Sequence, residues 1–203
     1  MRSPRPTLVL ASGSSGRLSV LRSAGIDPEV VVSGVDETCD DAMDTASMVA
    51  ELAERKASAV ATLRPGDLVL GCDSLLDFQG EALGKAPTAE RAAALWQQLS
   101  GNDGTLYTGH CLIDGRSGHT AQAVAATRIR FGTPTETELA AYIASGEPMS
   151  VAGGFSIDGR GAAFVDGIDG DPSAVIGLSL SLLRRMLAEV GLAITDLWRE
   201  PAS

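Results

Sequence analysis

Residues 8–17 constrain this chain more tightly than any other stretch. Leu8, Val9 and Leu10 are an apolar run suited to a short buried strand. Ala11, Ser12, Gly13 and Ser14 are small, and Leu18, Leu21 and Arg22 then recur at helical spacing. The stretch therefore reads as a strand turning directly into a helix, whose free backbone N–H groups and positive dipole end face outward. Such a turn suits an oxyanion, above all a phosphate. Ser12 and Ser14 offer hydroxyls, Arg17 offers a charged fork, and Gly13 and Gly16 permit close backbone approach. A tight connection with an ordinary N-cap has the same composition, so the rest of the chain has to separate the two readings.

The 203 residues can bury a substantial core, as one large domain or two closely packed lobes. An apolar content of 44% and a charged fraction of 21% are those of a soluble globular protein. With only 4% aromatic residues, the core has to be built from Ala, Val, Leu and Ile. A formal net charge of −10 argues against nucleic acid as a partner, since that binding depends on basic surface. A small anion would need local cations, and Arg17, Lys56 and Lys85 are the candidates. Cys39, Cys72 and Cys111 are far apart with no CxxC spacing, which predicts reduced thiols. Only His110 and His119 are present, so no zinc site is indicated. The basic residues at 1–6 carry no apolar run of signal-peptide or membrane length, which sets the cytoplasm as the expected location.

Along the chain, Gly25 is read as the stop of the first helix and 30–35 as a second strand ending at Asp36 and Glu37. The acidic run at 39–44 reads as a solvated loop. A helix is predicted over 46–63 with Ser47 as its cap, and Lys56 lies among small residues on it. Residues 68–74 read as a strand buried on both faces, ending at Gly71 and then at the carboxylate of Asp73, which is costly to bury unpaired. A hairpin turns near Gln79 and Gly80, and Lys85 follows in a loop. Helices are predicted over 88–99 and 135–145, with Trp96 in the core. A strand pair is predicted over 104–114 and 120–131. The glycine-dense segment 151–170 reads as short strands with tight turns, and 172–190 as mostly one helix.

Strand ends at Ser12, Asp36–Glu37 and Asp73, with Lys85, combine phosphate-binding groups with carboxylates able to hold a hard divalent cation. That chemistry suits metal-assisted attack of water on a phosphoanhydride. The same ordered segments resemble the Maf family: Ser12-Gly13-Ser14-Ser15-Gly16-Arg17, Val35-Asp36-Glu37, Leu52-Ala53-Glu54-Arg55-Lys56-Ala57, Gly71-Cys72-Asp73-Ser74, Leu83-Gly84-Lys85, Leu99-Ser100-Gly101, Tyr107-Thr108-Gly109, Ala152-Gly153-Gly154-Phe155 and Gly177-Leu178-Ser179-Leu180. The resemblance implies an α/β fold with a mixed, strongly curved sheet in two lobes flanked by helices around a central cleft, related to the inosine triphosphate pyrophosphatases. It implies a nucleoside triphosphate pyrophosphatase that uses Mg²⁺ or Mn²⁺ and acts on non-standard or modified nucleotides, and, at family level, a homodimer.

Carried over by motif, Asp73 matches the catalytic aspartate, and Ser12, Ser14, Arg17, Lys56 and Lys85 match substrate positions. Glu37 and Asp73 match the metal site. Gly16, Ser74 and Asp158 stand where the dTTP/UTP-preferring branch carries Arg, Thr and Gln, so the set is closer to the branch acting on 7-methyl-GTP. The family's Ser-x-Ser-Pro-Arg-Arg is Ser-x-Ser-Ser-Gly-Arg in this chain, and its Gly-Lys-Pro is Gly84-Lys85-Ala86. The missing first arginine leaves a rival reading, a nucleotide-binding regulatory protein linked to division or septum formation without turnover. A phosphatase releasing single phosphates is a third.

Overall fold

The computed structural model describes residues 6–40 and 42–199, so Asp41 of the acidic run and the basic residues 1–5 lie outside it. The strand β1 (Leu8–Leu10) enters the helix α1 (Ser15–Ser23), which is capped by the Ser14 hydroxyl and followed by Gly25 at φ 79°. The predicted second strand is cut to two residues, β2 (Glu29–Val30). Among the described residues its only strand neighbour, β1, is spent at Leu10, whose carbonyl accepts from the Val31 amide at 3.1 Å. Asp36 and Glu37 therefore sit in an irregular loop, not at a strand end.

The helix α2 (Thr45–Leu63) is capped by Asp44, which accepts from the Ser47 amide at 2.9 Å. Asp44 is exposed, as the solvated-loop reading expects, but it also caps the helix, with Ser47 as its donor and not the cap. The strand β3 (Leu68–Phe78) does not stop at Gly71; it runs on because it pairs with β5 (Asp103–Asp114) without interruption from Leu68 to Asp77. Its hairpin partner is β4 (Glu81–Leu83), after a turn at Gln79 and Gly80.

The helix α3 (Ala89–Leu99), capped by Thr88, precedes β5. The strand β6 (Thr120–Phe131) then leads to α4 (Glu136–Ala144) with a Thr135–Glu138 capping box. The glycine-dense segment gives a single strand, β7 (Val165–Asp169), after a 3-10 turn at Arg160–Phe164. The final helix is broken in two, α5 (Pro172–Ile176) and α6 (Leu180–Glu189). Gly177 at φ 120° ends the first, and the Ser179 hydroxyl caps the second.

The result is an α/β protein with a mixed seven-stranded sheet in the order β2-β1-β3-β5-β6-β7, β4 pairing on β3. The pairs β1·β2 and β1·β3 are parallel and the others antiparallel. Three apolar clusters cover it. Leu10, Leu70, Cys72 and Leu112 pack under α1 and α6; Val9, Val69 and Cys111 pack under Ala53, Ala57 and Val60 of α2. At the far end of the long strands, Leu76, Leu106 and Ile129 join Trp96, Tyr142 and Phe155. Trp96 is fully buried, edge-on to Phe131, Tyr142 and Phe164, and donates its indole N–H to the Gly154 carbonyl at 2.8 Å. Asp73, Ser74 and Leu75 fall between the two ends of this core, where the sheet is left open.

Candidate active site

Strand alternation divides β3 between the two faces. Val69, Gly71 and Asp73 face α2; Leu70, Cys72 and Ser74 face α1 and α6. Gly71 and, on β5, Gly109, the register partner of Asp73, allow α2 to lie against the sheet. A Cβ on Gly71 would sit 2.2 Å from the Ala53 carbonyl oxygen, and one on Gly109 would sit 2.1 Å from that of Val49. This close approach brings Lys56, which shares the buried stripe of Val49, Leu52, Ala53, Ala57 and Val60, onto Asp73. Lys56 Nζ lies 2.6 Å from Asp73 Oδ1 and 2.6 Å from Glu37 Oε1. The lysine and aspartate side chains are 8% and 11% exposed, whereas that of Glu37 is 64% exposed. Asp73 Oδ2 carries no protein hydrogen bond among the described residues.

On the other face, Arg17 is buried and its guanidinium is held at three points. Nε donates to the Gly177 carbonyl at 3.0 Å, Nη1 to Ser12 Oγ at 2.9 Å, and Nη2 to Ser74 Oγ at 3.4 Å. Ser14 caps α1 through the Arg17 amide at 3.4 Å. Among the described residues, the next two amides of the helix start, Ser15 and Gly16, have no protein acceptor, and both line the same cleft. A Cβ on Gly16 would lie 3.0 Å from the Ile176 carbonyl oxygen, so the glycine lets α1 pack against the end of α5.

These groups open into one cleft of about 1020 Å³. Ser12, Ser14, Gly16, Arg17, Glu37, Lys56, Asp73, Ser74, Lys85 and Asp158 all line it. Asp36, read from the sequence beside Glu37, is not brought to the cleft; its carboxylate accepts from the Thr38 amide and hydroxyl at 2.9 and 2.8 Å. Lys85 is exposed on the wall, where its backbone bridges to Ala152. Asp158 is exposed and also lines the cleft. Glu147 went unnoticed in the sequence. Its carboxylate accepts from Ser156 Oγ at 2.6 Å and from the Gly161 and Arg160 amides at 2.9 and 3.0 Å, tying down the loop that carries Asp158. Partial burial raises the Glu147 carboxyl, but these donors outweigh it and hold it below the usual range. No sequence pattern marked it, because its partners lie 9 to 14 residues away in an irregular segment.

The cleft lining sets three cations against four carboxylates. Lys56 is already neutralised by Glu37 and Asp73, so a polyphosphate would meet only Arg17, Lys85 and the start of α1 as positive partners. Among the described residues, no three His, Cys, Asp or Glu side chains converge. Glu37 and Asp73 nevertheless aim at one cationic point, and two carboxylates completed by substrate phosphates form a common Mg²⁺ arrangement.

A family model described as Maf-like protein matches residues 7–190. The chain belongs to the Maf-like proteins. A curated relative from Streptomyces coelicolor, named nucleoside triphosphate pyrophosphatase, is 57% identical over 198 residues, covering 96% of each chain. Relatives of the same name from Mycobacterium sp. (strain JLS) and Salinispora tropica are 51% and 48% identical, covering 94% and 97% of this chain and 97% and 89% of theirs. Among solved structures, the Staphylococcus aureus Ham1 protein is similar over 62% of this chain and 72% of its own, at 16% identity and a TM-score of 0.43. The motifs quoted for the Maf family therefore lie in a chain that carries the family's match almost end to end. Among the described residues, no helix is long and apolar enough to cross a membrane.

Proposed function

We propose that this Maf-like protein is a nucleoside triphosphate pyrophosphatase, splitting an NTP into NMP and pyrophosphate in the cleft between α1, α2 and the open middle of β3. The observation that carries this is the convergence of the α1 N-terminus, Arg17, Lys85 and the Lys56–Asp73–Glu37 cluster on one cavity. The names of relatives at 48–57% identity support it.

In this reading the free amides of Ser15 and Gly16, the remaining N–H groups of Arg17 and the Lys85 ammonium grip the phosphates. Ser12, whose oxygen accepts from both Arg17 and the Ser14 amide, keeps its own hydrogen for a phosphate oxygen. Asp73 accepts the proton of the attacking water through its uncommitted Oδ2, and Lys56 fixes that carboxylate through Oδ1. Glu37 and Asp73 would hold a divalent cation, Mg²⁺ or Mn²⁺, which supplies neutralisation of phosphate charge and a more acidic water. On the cleft wall, Asp158 offers an acceptor to base N–H donors, which favours a guanine-like edge and supports a purine or modified purine substrate.

The test is Asp73→Asn. Loss of a general base predicts a kcat about 10²–10⁴-fold lower, with nucleotide binding retained. Turnover at the wild-type rate would remove Asp73 from the chemistry. Wild-type protein that binds nucleotide but never turns it over would favour the regulatory reading.

A further inference from the structure

Thr108 lies at the centre of β5 with none of its surface exposed, and its hydroxyl is not accounted for by packing alone. Its Oγ1 is 2.9 Å from the Ala174 carbonyl oxygen and 3.0 Å from Ser74 Oγ. A hydroxyl has one hydrogen, and a carbonyl can only accept, so the Thr108 hydrogen goes to Ala174. The Ser74 hydrogen then has to point at Thr108, which leaves the Ser74 lone pairs facing Arg17 Nη2 at 3.4 Å. The donor count thereby fixes one direction for the chain of bonds, from Arg17 to Ser74 to Thr108 to the Ala174 carbonyl. A second route meets it. The Ala174 carbonyl also accepts from the Gly177 amide at 3.0 Å, and the Gly177 carbonyl holds Arg17 Nε. Thr108 therefore pins the turn after α5 and orients Ser74, and both of these hold the guanidinium.

We infer that Thr108 is a positioning residue for Arg17, acting through Ser74 and the 174–177 turn to present the guanidinium to a phosphate. The inference rests on the pyrophosphatase reading for the role of Arg17. It also assigns Ser74 a different task from base selection. With its hydrogen committed to Thr108, Ser74 serves as an acceptor for arginine.

The experiment uses the full chain, with Kd for a non-hydrolysable NTP measured by calorimetry beside KM and kcat. Thr108→Val keeps the shape and removes the hydroxyl. Its Kd and KM should rise about ten-fold, the scale of one hydrogen bond to a charged group, with kcat little changed, as for lost uniform binding. Thr108→Ser should restore both to within about two-fold of wild type, because it restores the donor. In an Arg17→Met background, Thr108→Val should add nothing, since its effect passes through that side chain. A purely packing role would instead lower thermal stability in Thr108→Val and leave KM alone. If Thr108→Val does not fold, Ser74→Ala reads the same relay and should raise Kd in the same way. Unchanged Kd and KM, failure of Thr108→Ser to restore them, or a full additive effect on Arg17→Met would overturn the inference. Absence of turnover in wild type with intact, coupled binding would strike at the pyrophosphatase reading alone, whereas absence of triphosphate binding would overturn both.

Discussion

Replacing Lys56 by Met should expose the charge balance on which the cleft is built. The lysine and Asp73 are 8% and 11% exposed, while Glu37 is 64% exposed and mostly served by water. Removing one partner of a buried pair leaves the other charge uncompensated, at a cost of about 3 kcal/mol at the lower end of the usual range. The Glu37 contact adds little, as exposed pairs do. In a chain of this size, about 3 kcal/mol corresponds to a fall in Tm of roughly 6–12 °C. A divalent cation drawn to the same two carboxylates should reverse much of the loss. At about 100 times its Kd it returns about 2.7 kcal/mol by mass action. Wild type should gain less, because there the cation competes with an ammonium already in place. The assay is thermal and urea denaturation of both proteins in EDTA and in excess Mn²⁺, without nucleotide, repeated in an Asp73→Asn background, where Lys56→Met should cost much less. Equal stability of the two proteins in EDTA, or equal stabilisation of both by Mn²⁺, would refute the shared-point arrangement.

His110 is buried on β5, accepts from the Ser179 amide at 2.8 Å through Nε2, and leaves Nδ1 without a partner among the described residues. Burial, with Arg17 nearby, pushes its pKa down to about 4, against the opposing influence of the Ala123 and Thr108 backbone and then of Asp171. Because the folded value lies below the ordinary 6.5, the unfolded chain binds the extra proton. The stability held by neutral His110 is complete above pH 6.5 and drains as pH falls toward 4, by about 3 kcal/mol. His110→Gln, which keeps an acceptor for Ser179, should flatten the urea-stability profile over that window; parallel profiles would remove His110 as the cause. Competition among GTP, 7-methyl-GTP, dTTP and UTP at equal concentration should favour the guanine nucleotides, and Asp158→Ala should narrow the difference. A clear preference for dTTP or UTP would rule out that role for Asp158.

Much of the site was legible in the sequence because it lies on regular elements. The 8–17 stretch dictated a strand, turn and helix start, and Lys56 sits at helical spacing from Val49, Leu52, Ala53 and Val60, which fixes its face. The position of Asp73 was readable, but not the length of its strand. Gly71 looked like a terminus, whereas its missing Cβ serves close approach of α2, a property of the partner helix that no local pattern carries. Glu37 was read from a strand end that does not exist, since β1 is too short to pair beyond Val31; it reaches the site from a loop. The break at Gly177 was hidden inside a run of leucines with helical spacing, yet its carbonyl orients Arg17. Thr108 and Glu147 act through partners in other elements, Ala174 on α5 and the irregular segment 156–161, and such pairings become visible only once the chain is folded.

The account stands or falls on which phosphoanhydride bond this cleft breaks. Following wild-type protein with a nucleoside triphosphate and Mg²⁺ by ³¹P NMR should show NMP and pyrophosphate appearing together in equal amounts, with no orthophosphate until an inorganic pyrophosphatase is added. Early accumulation of NDP with orthophosphate would contradict it.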